Sequence, residues 1–216
     1  MKYFTALPKL ISLFVFISCK EGIHPDNNIV THDSSAVVKV VIPDSIAKGK
    51  SDTRSGWLKQ VLGLQNVSRG YNGFQFRIYA EAINYKGAVL IIKDSNGTHF
   101  AELINYQIDF EYSASMKSIT FQHIQLGNPK SGWKNLMNEL EDLGFKKMPN
   151  PDSIPEFSPN ADEVGVDFEL VENKTYWLYS YPSPYYKEFS NNKILKNIKE
   201  ILELLEREFQ IDFPRL

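Results

Sequence analysis

Phe74-Gln75-Phe76-Arg77-Ile78-Tyr79-Ala80-Glu81, then Gly87-Ala88-Val89-Leu90-Ile91-Ile92, then Asp94-Ser95-Asn96-Gly97 follow one another in a single short stretch, and their reading decides the fold class. In the first segment Phe74, Phe76, Ile78 and Ala80 alternate with Gln75, Arg77, Tyr79 and Glu81, the period-two pattern of a half-buried strand. The second segment is apolar throughout and suits a central strand. Asn96-Gly97 is a hairpin signal, because a two-residue type I′ turn needs positive φ at both positions. Beyond it Ile104, Tyr106, Ile108 and Phe110 alternate with Asn105, Gln107 and Asp109, and a fourth strand is expected near Ser118 to Leu126. Connections this short favour antiparallel neighbours, since a parallel pair needs a crossover of a dozen or more residues.

Working outward, Val37-Val38-Lys39-Val40-Val41-Ile42 is β-prone and stops at Pro43, and Trp57, Leu58, Val61 and Leu62 recur at helical spacing. Downstream, Asn128-Pro129 reads as an N-cap followed by proline at the first helical position. Trp133, Leu136, Met137, Leu140 and Leu143 line one face of that helix, and Gly144 supplies a left-handed end. A proline-rich stretch over residues 148–160 reads as surface loop. Val164, Val166, Phe168 and Leu170 alternate with Gly165, Asp167 and Glu169, and Glu172-Asn173-Lys174-Thr175 turns into Tyr176–Tyr181, a second hairpin. The last helix carries Ile194, Ile198, Ile201, Leu202, Leu205 and Phe209 on one side and Lys196, Glu200, Glu203 and Arg207 on the other. Strands and helices come in blocks, so the fold class is α+β: a mainly antiparallel, meandering sheet of about six strands packed by two or three helices. Residues 36–216 form its single domain.

The N-terminus carries an address. Leu10–Ile17 is apolar, Lys2 and Lys9 precede it, and Cys19, the one cysteine of the chain, follows Ser18. A membrane-spanning helix needs about twenty apolar residues, so residues 1–18 read as a cleavable signal peptide. Phe16-Ile17-Ser18-Cys19 resembles the lipobox of bacterial lipoproteins, and Cys-Lys-Glu is similar to the signals of surface lipoproteins in Bacteroidetes-type bacteria. The resemblance implies lipidation at Cys19, anchoring in the cell envelope and an outer-membrane location, and it transfers no activity. Two or more acyl chains hold a protein on a membrane where one binds only marginally. Residues 19–35 are then the lipidated cysteine and a polar, flexible tether. Losing Lys2 and Lys9 takes 24 basic residues to 22 against 26 acidic, a formal charge of −4, and that balance points to no nucleic acid.

Chemistry is sparse. There is no Gly-rich phosphate loop, no Gly-x-Ser-x-Gly and no His-Glu-x-x-His. His99 and His123 fall on neighbouring strands and read as surface or edge residues, with too few companions to hold a metal. Asp167 and Glu169 share one face of a strand, at a spacing two glycosidase carboxylates can have. The other face of that strand is the apolar one, so both are expected in solvent, without catalysis. No cofactor is implied. Trp177, Tyr179 and Tyr181 share one strand face and are the candidate ligand-binding residues, because flat rings with polar tips anchor sugars and protein partners. The expectation is a non-enzymatic envelope lipoprotein that binds a protein or glycan partner there. An immunity-type protein that neutralises a toxin by direct contact is the second reading, and a hydrolase the last.

Overall fold

The computed structural model describes residues 32–34, 36–42, 54–68, 71–82, 84–110, 116–151, 165–185 and 192–214. Among these residues eight strands form one antiparallel sheet: β1 (His32–Ser34), β2 (Val38–Val41), β3 (Phe74–Glu81), β4 (Lys86–Ser95), β5 (Thr98–Phe110), β6 (Met116–Leu126), β7 (Gly165–Glu172) and β8 (Thr175–Pro182). The order across the sheet is β1-β6-β5-β4-β3-β7-β8, and β2 pairs with β6 further along the edge that β1 occupies. Among the described residues three helices accompany it, α1 (Arg54–Val61), α2 (Trp133–Asp142) and α3 (Lys193–Phe209), with a 3₁₀ turn at Phe145–Lys147. The fold is α+β with a mainly antiparallel sheet, and it holds a few more strands than the sequence suggests.

The meander runs from β3 to β6. Asn96 (φ 54°) and Gly97 (φ 79°) make its two-residue turn, with Ser95 facing Thr98 across the hairpin. The second hairpin does not extend the meander. The chain leaves β6, passes through α2 and returns on the other side of β3, where β7 pairs antiparallel with it. His32–Ser34, placed in the tether by its polarity, pairs with Ile124–Leu126 and becomes strand β1. Cys19 and the signal segment lie outside the described residues, as does most of the tether.

Apolar side chains cover both faces of the sheet. On one face Phe76, Ile78, Leu90, Leu103 and Phe168 pack against Leu136 and Leu140 of α2 and the stripe of α3. On the other, Tyr79, Val89, Ile91, Ile104 and Ile119 pack against Ile42, Leu58 and Leu62. One position shows how tightly this second layer is built. A Cβ on Gly87 would lie 2.0 Å from Cζ of Tyr106, its direct cross-strand partner, so only glycine lets that ring lie against the strand. The Tyr106 hydroxyl then donates to Glu81 Oε2 at 2.9 Å.

The helix ends differ from the sequence reading at one place. α2 begins at Trp133 with Gly132 as its N-cap, four residues after the Asn128-Pro129 pair. Gly132 N–H donates to the Pro129 carbonyl at 2.9 Å in a turn, and Asn128 Oδ1 accepts from Trp133 Nε1 at 2.9 Å, so the asparagine fastens the helix by a side chain rather than capping its backbone. Gly144 has φ 78° and ψ 23°, the left-handed end that ends the helix. In α3 the Asn192 side chain accepts from the N–H of Ile194 (2.9 Å) and Leu195 (3.2 Å). Two carboxylates on α3 are buried and serve as backbone acceptors: Glu206 Oε1 takes the Phe213 N–H at 2.9 Å and Glu208 Oε2 takes the Ser131 N–H at 2.7 Å. They fasten the C-terminal segment and the start of α2 to the same helix.

Ile201 lies at the middle of the buried stripe of α3 and is fully excluded from solvent. Ile201→Ala is expected to lower stability by about 2–5 kcal/mol, lost transfer energy plus the cavity left behind. Denaturant titration of both chains measures this, and an unchanged midpoint would mean that α3 does not pack on the sheet.

Candidate functional site

Trp177, Tyr179 and Tyr181 do share one face of β8, and it is the face that α2 and α3 cover. Tyr181 is buried, its ring is edge-on to Phe168 and its hydroxyl donates to the Pro149 carbonyl. Burial first, then the neighbouring Tyr179, raises its pKa above the ordinary phenol value. Trp177 and Tyr179 are half-buried and pack against the same core. The rings thus lie at the margin of the helix-covered layer. Cys19 lies outside the described residues.

Asp167 and Glu169 are not in solvent: both are buried, Glu169 at 1% exposure. The sequence reading placed them outside because alternation shows which face is more apolar, not whether the polar face is also covered. Here α1 and the loop after it cover that face. Glu169 Oε2 accepts from Arg77 Nη1 (3.1 Å) and from the Tyr79 hydroxyl (2.8 Å), while Oε1 accepts from the Tyr176 hydroxyl (2.9 Å) and from Lys59 of α1. Arg77 is itself held by the Gln65 carbonyl at 2.8 Å. With the Gln75 amide oxygen turned to it, the guanidinium also donates there through Nε (3.1 Å) and Nη2 (3.2 Å). A carboxylate offers about four acceptor positions, and four donors occupy those of Glu169. None is left for a substrate, so the cluster is an anchor and not a general base.

The two histidines do not meet. His99 lies on the α2 face and stacks on Trp133 with ring centroids 5.3 Å apart. His123 lies on the opposite face, in contact with Glu102 and edge-on to Phe121. Among the described residues no three His, Cys, Asp or Glu side chains group to hold a metal ion. No helix among them is long and apolar enough to cross a membrane.

A groove of about 440 Å³ opens beside the segment that follows α3, a volume in the range of small-ligand pockets. Its floor is formed from the middle of β5 and β6, where Asn105, Gln107, Thr120 and Gln122 line it. By the alternation of the strands Asn105 and Gln107 share the face of Leu103, which α3 covers further along. Val37, Phe213 and Pro214 give it an apolar side, and Lys86 and Asp212 place one charge of each sign in it. Gln107 Nε2 is fastened to the Asn84 carbonyl at 3.1 Å. Among the described residues the side chains of Asn105, Thr120, Lys86 and Asp212 have no hydrogen-bond or ion-pair partner. Beyond the groove Asp109 accepts from Ser118 Oγ (2.9 Å) and Lys39 Nζ (3.3 Å), and these two bonds, the serine's first, hold its carboxyl below the usual range. Sequence reasoning missed the groove. Its only signal was that Asn105, Gln107, Thr120 and Gln122 are polar in strands whose other halves are apolar.

Tyr79 supplies a pH test of the buried cluster. Burial first and the Glu169 charge second raise its pKa well above 10.0, so the phenol stays neutral in the fold at pH values where an unfolded tyrosine ionises. The native state then holds the extra proton. The stabilisation is complete below about pH 10 and falls as pH rises, by about 1.4 kcal/mol per pH unit for this one group. Denaturation midpoints at about pH 9 and about pH 11 should differ, and Tyr79→Phe should lessen the difference. An equally steep loss in the variant would mean that Tyr79 ionises while folded. No protein-family model, no curated protein and no solved structure matches the chain, so the reading of these sites rests on their own geometry.

Proposed function

We propose that the chain is a non-enzymatic, lipid-anchored protein of the bacterial envelope that binds a protein or glycan partner in the groove above β5 and β6. The observation that carries this reading is a concave site lined by side-chain amides, a hydroxyl and two opposite charges, four of which have no partner among the described residues. Amides and hydroxyls are poor acids and bases near neutral pH but both donate and accept, so they suit recognition rather than bond-breaking. A few such polar groups beside an apolar wall are the usual composition of a ligand site. The lipobox resemblance at Phe16–Cys19 supports the anchor; Trp177 and Tyr179 stand on β8, four strands from β5, and do not line the groove.

The tether suits this arrangement. Twelve residues separate Cys19 from His32, the first residue of β1, and that span of chain reaches at most about 45 Å. A domain on such a tether stays within that distance of a membrane while its groove remains open to a partner.

Two measurements test the two halves of the reading. Cys19→Ala is expected to abolish incorporation of labelled fatty acid and to release the protein from membranes, and equal labelling of both chains would remove the anchor. Asn105→Arg fills the groove from an exposed position, where a substitution costs little stability. Envelope material, protein or glycan, captured by the parent chain should be lost with this variant at an unchanged melting temperature. Capture that is the same for both chains would place binding elsewhere.

A further inference from the structure

We propose that the chain pairs with a second copy of itself through β8, the two strands running antiparallel about a two-fold axis at Leu178. β8 ends the sheet, and among the described residues no strand pairs with it on the side away from β7. Its hydrogen-bonding phase follows from the turn that precedes it. Asn173 (φ 50°) and Lys174 (φ 68°) form a two-residue type I′ loop, so Glu172 and Thr175 exchange the closing bonds and the ladder alternates from there. Thr175, Trp177 and Tyr179 therefore turn their N–H and C=O groups to β7. Tyr176, Leu178 and Ser180 turn theirs outward.

A two-fold axis at Leu178 matches these outward groups to one another. Leu178 faces its own copy and exchanges both bonds with it, and Tyr176 faces Ser180 in the same phase. Trp177 faces Tyr179, an aromatic cross-strand pair of the kind that stabilises sheets. Both rings are half-buried at the margin of the helix-covered layer, and the pairing continues that layer from one copy into the next.

Charge makes a second copy the fitting occupant. An isologous contact brings the same patch against itself, so a charged strand meets like charge. Thr175–Pro182 reads Thr-Tyr-Trp-Leu-Tyr-Ser-Tyr-Pro and carries none. Natural sheets protect exposed edges with charge, short strands or proline. The opposite edge of this sheet is protected in that way, by two short strands of three and four residues, the second carrying Lys39. β8 is left uncharged over eight residues, with proline only at its end.

The test is oxidative cross-linking of the purified full-length chain, followed by light scattering. In a hydrogen-bonded antiparallel pair facing Cα atoms are about 5.5 Å apart, inside the roughly 4.4–6.8 Å that a disulfide spans. Leu178→Cys should give a covalent dimer several-fold above the parent chain, whose one cysteine is Cys19 and sets the background. Ser180→Cys should stay at background, because its copy lies about 14 Å away along the strand. Leu178→Arg places a charge opposite its own copy and should turn a dimeric parent into a monomer with unchanged circular dichroism. A monomeric parent overturns the proposal, and so does equal cross-linking at the two positions or a reactive Leu178→Cys thiol that forms no dimer.

Discussion

One buried carboxylate holds the sheet and its second layer together. Glu169 takes donors from β3, β8 and α1 as well as standing on β7, so four elements meet at two oxygen atoms. α1 has only eight residues, and a helix that short has little intrinsic stability. Lys59, on the helix, and the Gln65 carbonyl, just after it, fasten the segment to the sheet through Glu169 and Arg77. The arrangement also guards register. A slip of one residue in β7 would turn Glu169 to the face of Phe76 and Phe168 and leave buried Arg77 and half-buried Lys59 without their counter-charge, a large penalty.

The groove follows from a mismatch of lengths. A strand rises about 3.4 Å per residue and a helix 1.5 Å. β5, with thirteen residues, is therefore much longer than the seventeen-residue α3 that lies on the sheet. Where the helix covers the strands, Ala101, Leu103 and Leu126 are buried. Where it ends, Asn105, Gln107, Thr120 and Gln122 take over, and Phe213 and Pro214 border the open surface from the side. Glu206, which accepts from the Phe213 N–H, holds that border in place.

The two edges of the sheet are treated differently. β6 is the strand next to one edge, and β1 and β2 share the task of covering it in two short pieces. β8 is a long, uncharged strand ending in proline. The same aromatic residues that give β8 its strand preference also fill the margin of the core, so their chemistry alone does not separate packing from recognition.

The sequence by itself determined the local elements. Period-two alternation in β3 and β5, the Asn96-Gly97 turn and the 3.6-residue stripe of α3 each need only neighbours in the chain, because backbone geometry sets those periods. Tertiary structure decided what covered each face. Asp167 and Glu169 look like the wet side of a strand, and they are dry because Lys59 arrives from 110 residues away. The start of α2 moved from Asn128 to Gly132 because Glu208, far along the chain, takes the Ser131 N–H. The aromatic face of β8 was readable as one face, but its covering by α3 was not, and the groove exists only because a long strand and a shorter helix lie on one another. Alternation records polarity along a strand. Burial depends on which distant segment lies on it, and no local pattern carries that information.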